Sequence, residues 1–187
     1  MGGVPKRFPT LKYAFLEGGP GWAAGLYNSL FEYFEKRNLE ALRRNLDPAA
    51  LDVDLLVEMF EKYGNDYLTP ERIRKDPHQP TSSQLFVPAE EVDDFRDSGV
   101  ARGEDIRDIF ARNFYFGCEA DDSLNGIAFD TKINHYGLKL NAILGSDIGH
   151  WDVPDMTKVM VEAYEMVEDG FMNEDDFRDF TFGNVVS

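Results

Sequence analysis

The chain has 187 residues, with 35 acidic against 19 basic side chains and a net charge of −16. Such a surface repels phosphate backbones and anionic headgroups, which argues against nucleic acid and membrane surfaces as partners. Hydrophobic residues make up 43% and aromatics 13%, which argues against disorder and supports one domain with a sizeable core.

Residues 11–16 (LKYAFL) are aliphatic and aromatic enough to predict a buried strand, which ends in a carboxylate at Glu17. Gly18, Gly19, Pro20 and Gly21 follow and suit a tight strand-to-helix turn. Their spacing matches no nucleotide-binding glycine fingerprint. Residues 22–45 read as one long helix, with Leu26, Leu30, Tyr33, Phe34 and Leu42 recurring near helical spacing. A second amphipathic piece, 54–63, ends at Gly64. Residues from about 65 to 103 are rich in Pro, Ser, Asp and Arg, and predict a loop-rich excursion with little regular structure inside one domain spanning 1–187. A short helix is expected over 103–112.

Residues 113–119 (NFYFGCE) form another strand candidate ending in a carboxylate, and Asp121, Asp122 and Ser123 can cap a helical segment from Leu124 to about Leu138. The segment 141–152 (NAILGSDIGHWD) is the landmark of the chain. Ala142, Ile143 and Leu144 read as a buried strand, Gly145 and Ser146 break it, and Asp147 follows. Val153 and Pro154 then open an acidic amphipathic helix whose apolar stripe holds Met156, Val159, Met160, Ala163 and Val167, with Gly170 as its stop. Residues 173–179 form a last short helix. From Asp152 to the end there are ten acids against two bases, a pattern that reads as a solvated helical face.

Strand–helix alternation implies parallel strands with right-handed crossovers. The strands near 11–16, 113–118 and 142–145 are expected to be neighbours in that order, with Glu17, Glu119 and Asp147 at one end. Such folds place their chemistry at the carboxyl ends of strands, which makes Asp147 the first candidate for a metal ligand or catalytic carboxylate. The competing reading is a turn-capping Asp147, with His150 packed beside Trp151. His150 could instead support Asp147 or hydrogen-bond a substrate carboxylate. His135 is expected on the surface, His78 in a loop, and Cys118 as a small buried hydrophobe. Glu119, with Asp121 and Asp122, either lines the same mouth or is simply solvated.

Three stretches, FPTLKYAFLEGGPGW, NFYFGCEADD and NAILGSDIGHWD, occur in this order. Together they resemble the last three strand units of the amidohydrolase-related metal enzymes, in the branch of aminocarboxymuconate-semialdehyde decarboxylase. The resemblance covers most of the chain outside 65–102, and GSD-x-x-HWD is its most specific element. It implies a (β/α)8 TIM barrel of which this chain is the C-terminal portion. It also implies a divalent metal, zinc in most members, at the carboxyl face, with Asp147 as metal-binding and proton-handling carboxylate. The implied chemistry is hydrolysis or non-oxidative decarboxylation of a small aromatic or unsaturated carboxylic acid.

The chain departs from the family in two respects. The family's His-x-His metal pair and a further mid-barrel His have no counterpart among His78, His135 and His150. Glu17 stands where many members carry a His, and is kept as an acid, base or supporting group of the site. One carboxylate cannot hold zinc, which takes three or four protein ligands. On its own, then, the chain is expected to bind zinc weakly or not at all and to be inactive without a missing N-terminal half; homodimerisation is a further option. The alternative function is a non-catalytic α/β binding or assembly module. With Cys118 as the only cysteine, no signal core after Met1 and no apolar run of about 20 residues, a soluble cytoplasmic protein is expected.

Overall fold

The computed structural model describes residues 2–45, 47, 50–77 and 89–187, so the loop expected around His78 lies outside the described residues. The chain is an α/β protein with a three-stranded, open, all-parallel sheet. The strands β1 (Tyr13–Phe15), β2 (Phe114–Cys118) and β3 (Asn141–Leu144) are neighbours in that order. Tyr13 lies opposite Phe114 and Phe15 opposite Phe116, while Tyr115 faces Asn141 and Cys118 faces Leu144. Two asparagines tie the strand starts together. Asn113 Nδ2 donates to the carbonyl of Leu11 at 2.8 Å, and Asn141 Nδ2 donates to those of Ala111 and Phe114, both at 2.9 Å. With the starts held in register, the residues after each strand share the opposite end.

The chain divides into two compact units, one of Tyr33–Ser98 and one of Gly2–Glu32 with Gly99–Ser187. The second holds the sheet. Its helix α1 is Val4–Arg7, and α2 (Gly21–Arg37) begins there. Trp22 and Tyr27 of α2 and Phe110 of α7 (Gly103–Asn113) form an aromatic layer on one sheet face: Trp22 meets Phe15 at 5.3 Å, Tyr27 meets Phe110 at 5.0 Å, and Phe110 meets Phe114 at 5.2 Å. Such pairs add to the burial of Phe116 and of the fully buried Tyr27. Burial raises the pKa of the Tyr27 phenol, whose hydroxyl donates to the carbonyl of His135 at 2.7 Å.

The first unit carries α3 (Leu39–Asn45), α4 (Val53–Tyr63), α5 (Pro70–Lys75) and α6 (Ala89–Val92). Ala41, Leu42, Val57, Ile73 and Phe95 are buried apolar residues of this unit, and Arg37 pairs with Asp94 at 3.2 Å. The excursion is therefore more regular than its composition suggests, because Thr69 caps α5 through the amide of Arg72 and Pro70 occupies its first turn.

Several expected elements are shorter or differently placed. Residues 22–45 are two helices, because Asn38 donates to the Phe34 carbonyl at 2.6 Å and accepts from the Ala41 amide at 3.0 Å, closing α2 and capping α3 with one side chain. The helix expected from Leu124 is two 3-10 segments, Ser123–Phe129 and His135–Gly137. The Asp130 carboxylate takes the amides of Lys132 and Ile133 into a turn between them, and Tyr136 has φ +59°. The last long helix, α8, runs Val159–Glu168 and starts later than Val153, since Asp155 accepts from both the amide and the hydroxyl of Thr157 and holds that stretch in a turn. After α9 (Glu174–Arg178), a π-helical turn, Asp179–Gly183, leads into α10 (Asn184–Val186). There Phe180 is fully buried, and Asn184 Nδ2 donates to the carbonyl of Ala142 at 2.8 Å, occupying the outer edge of β3.

β1 corrects the expectation of a buried strand. Leu11 is 48% exposed, Phe15 42% and Leu16 67%. It is an edge strand, and among the described residues no strand pairs with its outer side. No helix among the described residues is long and apolar enough to cross a membrane.

Candidate functional site

The site is built on the turn after β3. The amide of Gly145 still donates to the carbonyl of Cys118 at 2.7 Å, so the sheet extends one residue past Leu144 before the chain leaves it. Asp147 then has φ +49° and Gly149 φ +108°. Asp tolerates the left-handed region better than most residues, whereas Gly149's conformation is available essentially to glycine alone. The amide of His150 donates to the carbonyl of Asp147 and that of Val153 to the carbonyl of His150, both at 3.2 Å.

This reversal brings side chains at positions i, i+3 and i+5 together. Donor atoms of Asp147, His150 and Asp152 all lie within 4.8 Å of one another. His150 Nδ1 is 2.9 Å from Asp147 Oδ2; the Asp147 side chain is 23% exposed and that of His150 61%. Trp151, the residue after His150, is 92% exposed. His150 thus pairs with Asp147 and has no packed indole beside it.

Asp147 and Asp152 also line a cavity of about 280 Å³, together with Glu119, Asp121, Asp155, Glu162 and Lys158. Its apolar base includes Ala120 and Val159, which belong to a buried cluster with Ala163, against which Leu144, Val153 and Phe177 pack. The hydroxyl and the amide of Thr157 hold the Asp155 carboxyl below the usual carboxylate range. The cavity thus concentrates negative charge over an apolar base, with one ammonium on its wall.

The other candidates fall into place around this turn. Glu119 lines the cavity. Glu17 follows β1 at the same end of the sheet, but it is exposed, has φ +63°, and is not part of the cavity lining. The glycine turn after it has a steric reason: a Cβ on Gly19, which has φ +61°, would lie 2.9 Å from the Asp122 carboxylate. His135 is exposed, its ring 4.5 Å from that of Phe31. Cys118 is buried, its thiol donates to the carbonyl of Phe116 at 3.0 Å, and burial pushes its pKa up to about 12, which rules out a thiolate nucleophile near neutral pH. Asp152 is the member that the resemblance did not single out; the signal was present as the spacing D-x-x-H-x-D around Gly149.

An imidazole and two carboxyl groups are the donor types that zinc and similar divalent ions take, so the chemistry of the set fits a metal of that kind. Comparisons with protein-family models, with curated proteins and with solved structures found no match to this chain.

Proposed function

We propose that the chain is the C-terminal portion of a metal-dependent (β/α)8 barrel enzyme, an amidohydrolase-type hydrolase or carboxy-lyase acting on a small aromatic or unsaturated carboxylic acid. The observation that carries this reading is the position of Asp147. It leaves the carboxyl end of a parallel strand in a left-handed turn, pairs with His150 and faces the cavity. Parallel α/β enzymes build their sites at that end.

When bound, a divalent ion would supply Lewis acidity and a water ionisable near neutral pH. Asp147 would be one of its ligands and, through a carboxylate oxygen, would accept or return the proton of the reacting group. The imidazole of His150, its Nδ1 2.9 Å from Asp147 Oδ2, helps to keep that carboxylate oriented. Lys158 on the cavity wall is suited to hold the substrate's carboxylate. Glu17, exposed and outside the lining, serves at most as an outer group of the mouth. The outer edge of β1, with Leu11 and Leu16 bare, is where further parallel strands would pair, whether from the rest of a barrel or from a second copy of the chain.

A second reading, a non-catalytic assembly module, is favoured by that same bare edge and by the lack of a His-x-His pair in this sequence. The deciding experiment uses the protein expressed from its complete reading frame with zinc supplied. CO₂ release and hydrolysis are followed over a panel of small unsaturated and aromatic carboxylic acids and their amides, with Asp147→Asn as the control. Turnover that disappears in the variant supports the enzyme. No turnover, with assembly to a partner or to itself intact, supports the module.

A further inference from the structure

Among the described residues, nothing outside the loop after β3 gathers comparable chemistry. Cys118 is sealed, and the Lys12–Tyr115 pair at 3.0 Å sits in the strand-start region, away from the carboxyl ends. The loop is different because three donors of two kinds converge on it from six consecutive residues. We propose that Asp147, His150 and Asp152 are together the direct ligands of one divalent cation of the zinc class, held by this single loop. The metal-dependent reading above supplies its biological sense, and the inference names the donors that this reading left open.

The argument starts from charge. Asp147 and Asp152 place carboxylate oxygens within 4.8 Å of each other, beside a cavity whose wall adds Glu119, Asp121, Asp155 and Glu162. Lys158 is the single basic residue of that lining, so carboxylates outnumber ammonium groups there and a bound cation would offset the excess. A mixed set of one imidazole and two carboxylates favours a borderline ion such as zinc or cobalt over calcium or magnesium, which take oxygen alone. Three protein ligands also leave a position open for water or substrate, the pattern of catalytic rather than structural zinc. The turn that joins the donors is short and internally hydrogen-bonded, from His150 to Asp147 and from Val153 to His150, so little ordering is left for binding to impose. Trp151 lies in solvent and does not compete for the space between the donors.

The test is isothermal titration of the chain with Co²⁺ alone, together with the visible absorption of the bound ion. Asp147→Asn, His150→Gln and Asp152→Asn are compared with the controls Asp155→Asn and Glu162→Gln. These side chains are on the surface or half-buried, and circular dichroism checks that each variant is folded. The expected result is one ion per chain, with the three donor variants each weakening binding at least about tenfold, the scale lost even when only an outer partner of a ligand is removed. The controls should leave binding unchanged. Absence of a one-to-one site overturns the inference. So does an equal loss in donor and control variants, which marks diffuse attraction to an acidic surface. Loss confined to Asp147→Asn overturns the three-ligand set but leaves Asp147 as metal ligand. Conversely, an intact three-donor site in a protein that turns over none of the acid panel upholds the inference and removes the enzymatic reading.

Discussion

His150 places Nδ1 2.9 Å from Oδ2 of Asp147, three residues earlier in the chain, and does so on a turn where Asp147 itself has a positive φ. A carboxylate with a left-handed backbone and an imidazole partner, at the exit of a parallel strand, is held in a defined orientation. That relationship sets the first prediction.

Asp147→Asn keeps the size of the side chain, and Asn accepts the left-handed region as readily as Asp. It removes the charge and the basicity. Stability should change little, and in the enzyme proposed above, expressed from its complete reading frame, kcat should fall by about 10²–10⁴-fold, the usual contribution of a general base. His150→Ala should act more weakly, chiefly on KM. Steady-state kinetics of both variants with metal content measured in parallel make the comparison; wild-type kcat in Asp147→Asn would reduce Asp147 to a turn residue.

Glu17 is exposed with φ +63°, a conformation that costs a side-chain-bearing residue about 1–2 kcal/mol. Glycine relieves that cost while adding freedom to the unfolded chain, so Glu17→Gly should leave stability unchanged or raise it by up to about 1 kcal/mol. Urea denaturation midpoints decide. A clear loss of stability would mean that the carboxylate makes a stabilising interaction in the folded protein.

Asp105 accepts the amides of Ala101 and Arg102 at 2.8 and 2.9 Å, closing the start of α7. Burial pushes its pKa up, but these two donors and the Arg102 guanidinium outweigh it and hold the carboxyl below its ordinary value. Its contribution to stability is therefore complete above the unfolded-state pKa, about 3.9, and is lost as pH falls through the lower folded-state value. Asp105→Ala should cost about 0.5–2 kcal/mol at pH 7. The difference from wild type should shrink below pH 4, read from denaturation curves at pH 7, 5 and 3.

Cys118, with burial pushing its thiol up to about 12, should resist a thiol reagent at pH 8 in the native protein and react fully in guanidinium. Native-state labelling at the rate of a free cysteine would show that the β2–β3 junction opens.

The strands were legible because apolar runs bounded by glycine or acidic residues, at 113–118 and 142–144, have few alternatives. Their parallel order followed from alternation with helices. Burial of β1 was misread, because LKYAFL has the composition of a core strand while an edge position depends on which neighbours are present. Asn38 and Asp130 broke helices that periodicity alone would continue, since a short polar side chain can replace a backbone partner and propensity cannot say when it does.

Within the site, the sequence by itself determined that a carboxylate, Asp147, follows a strand and that a histidine lies three residues on. Whether His150 would pack on Trp151 or turn to Asp147, and whether Asp152 would join them, was settled only in three dimensions. The backbone angles at Asp147 and Gly149 aim the side chains, and no residue spacing in a loop specifies those angles. Likewise, that Glu119 shares the cavity while Glu17 does not depends on how the chain leaves each strand. Two carboxylates that read alike in sequence are separated by packing that involves residues far from either one.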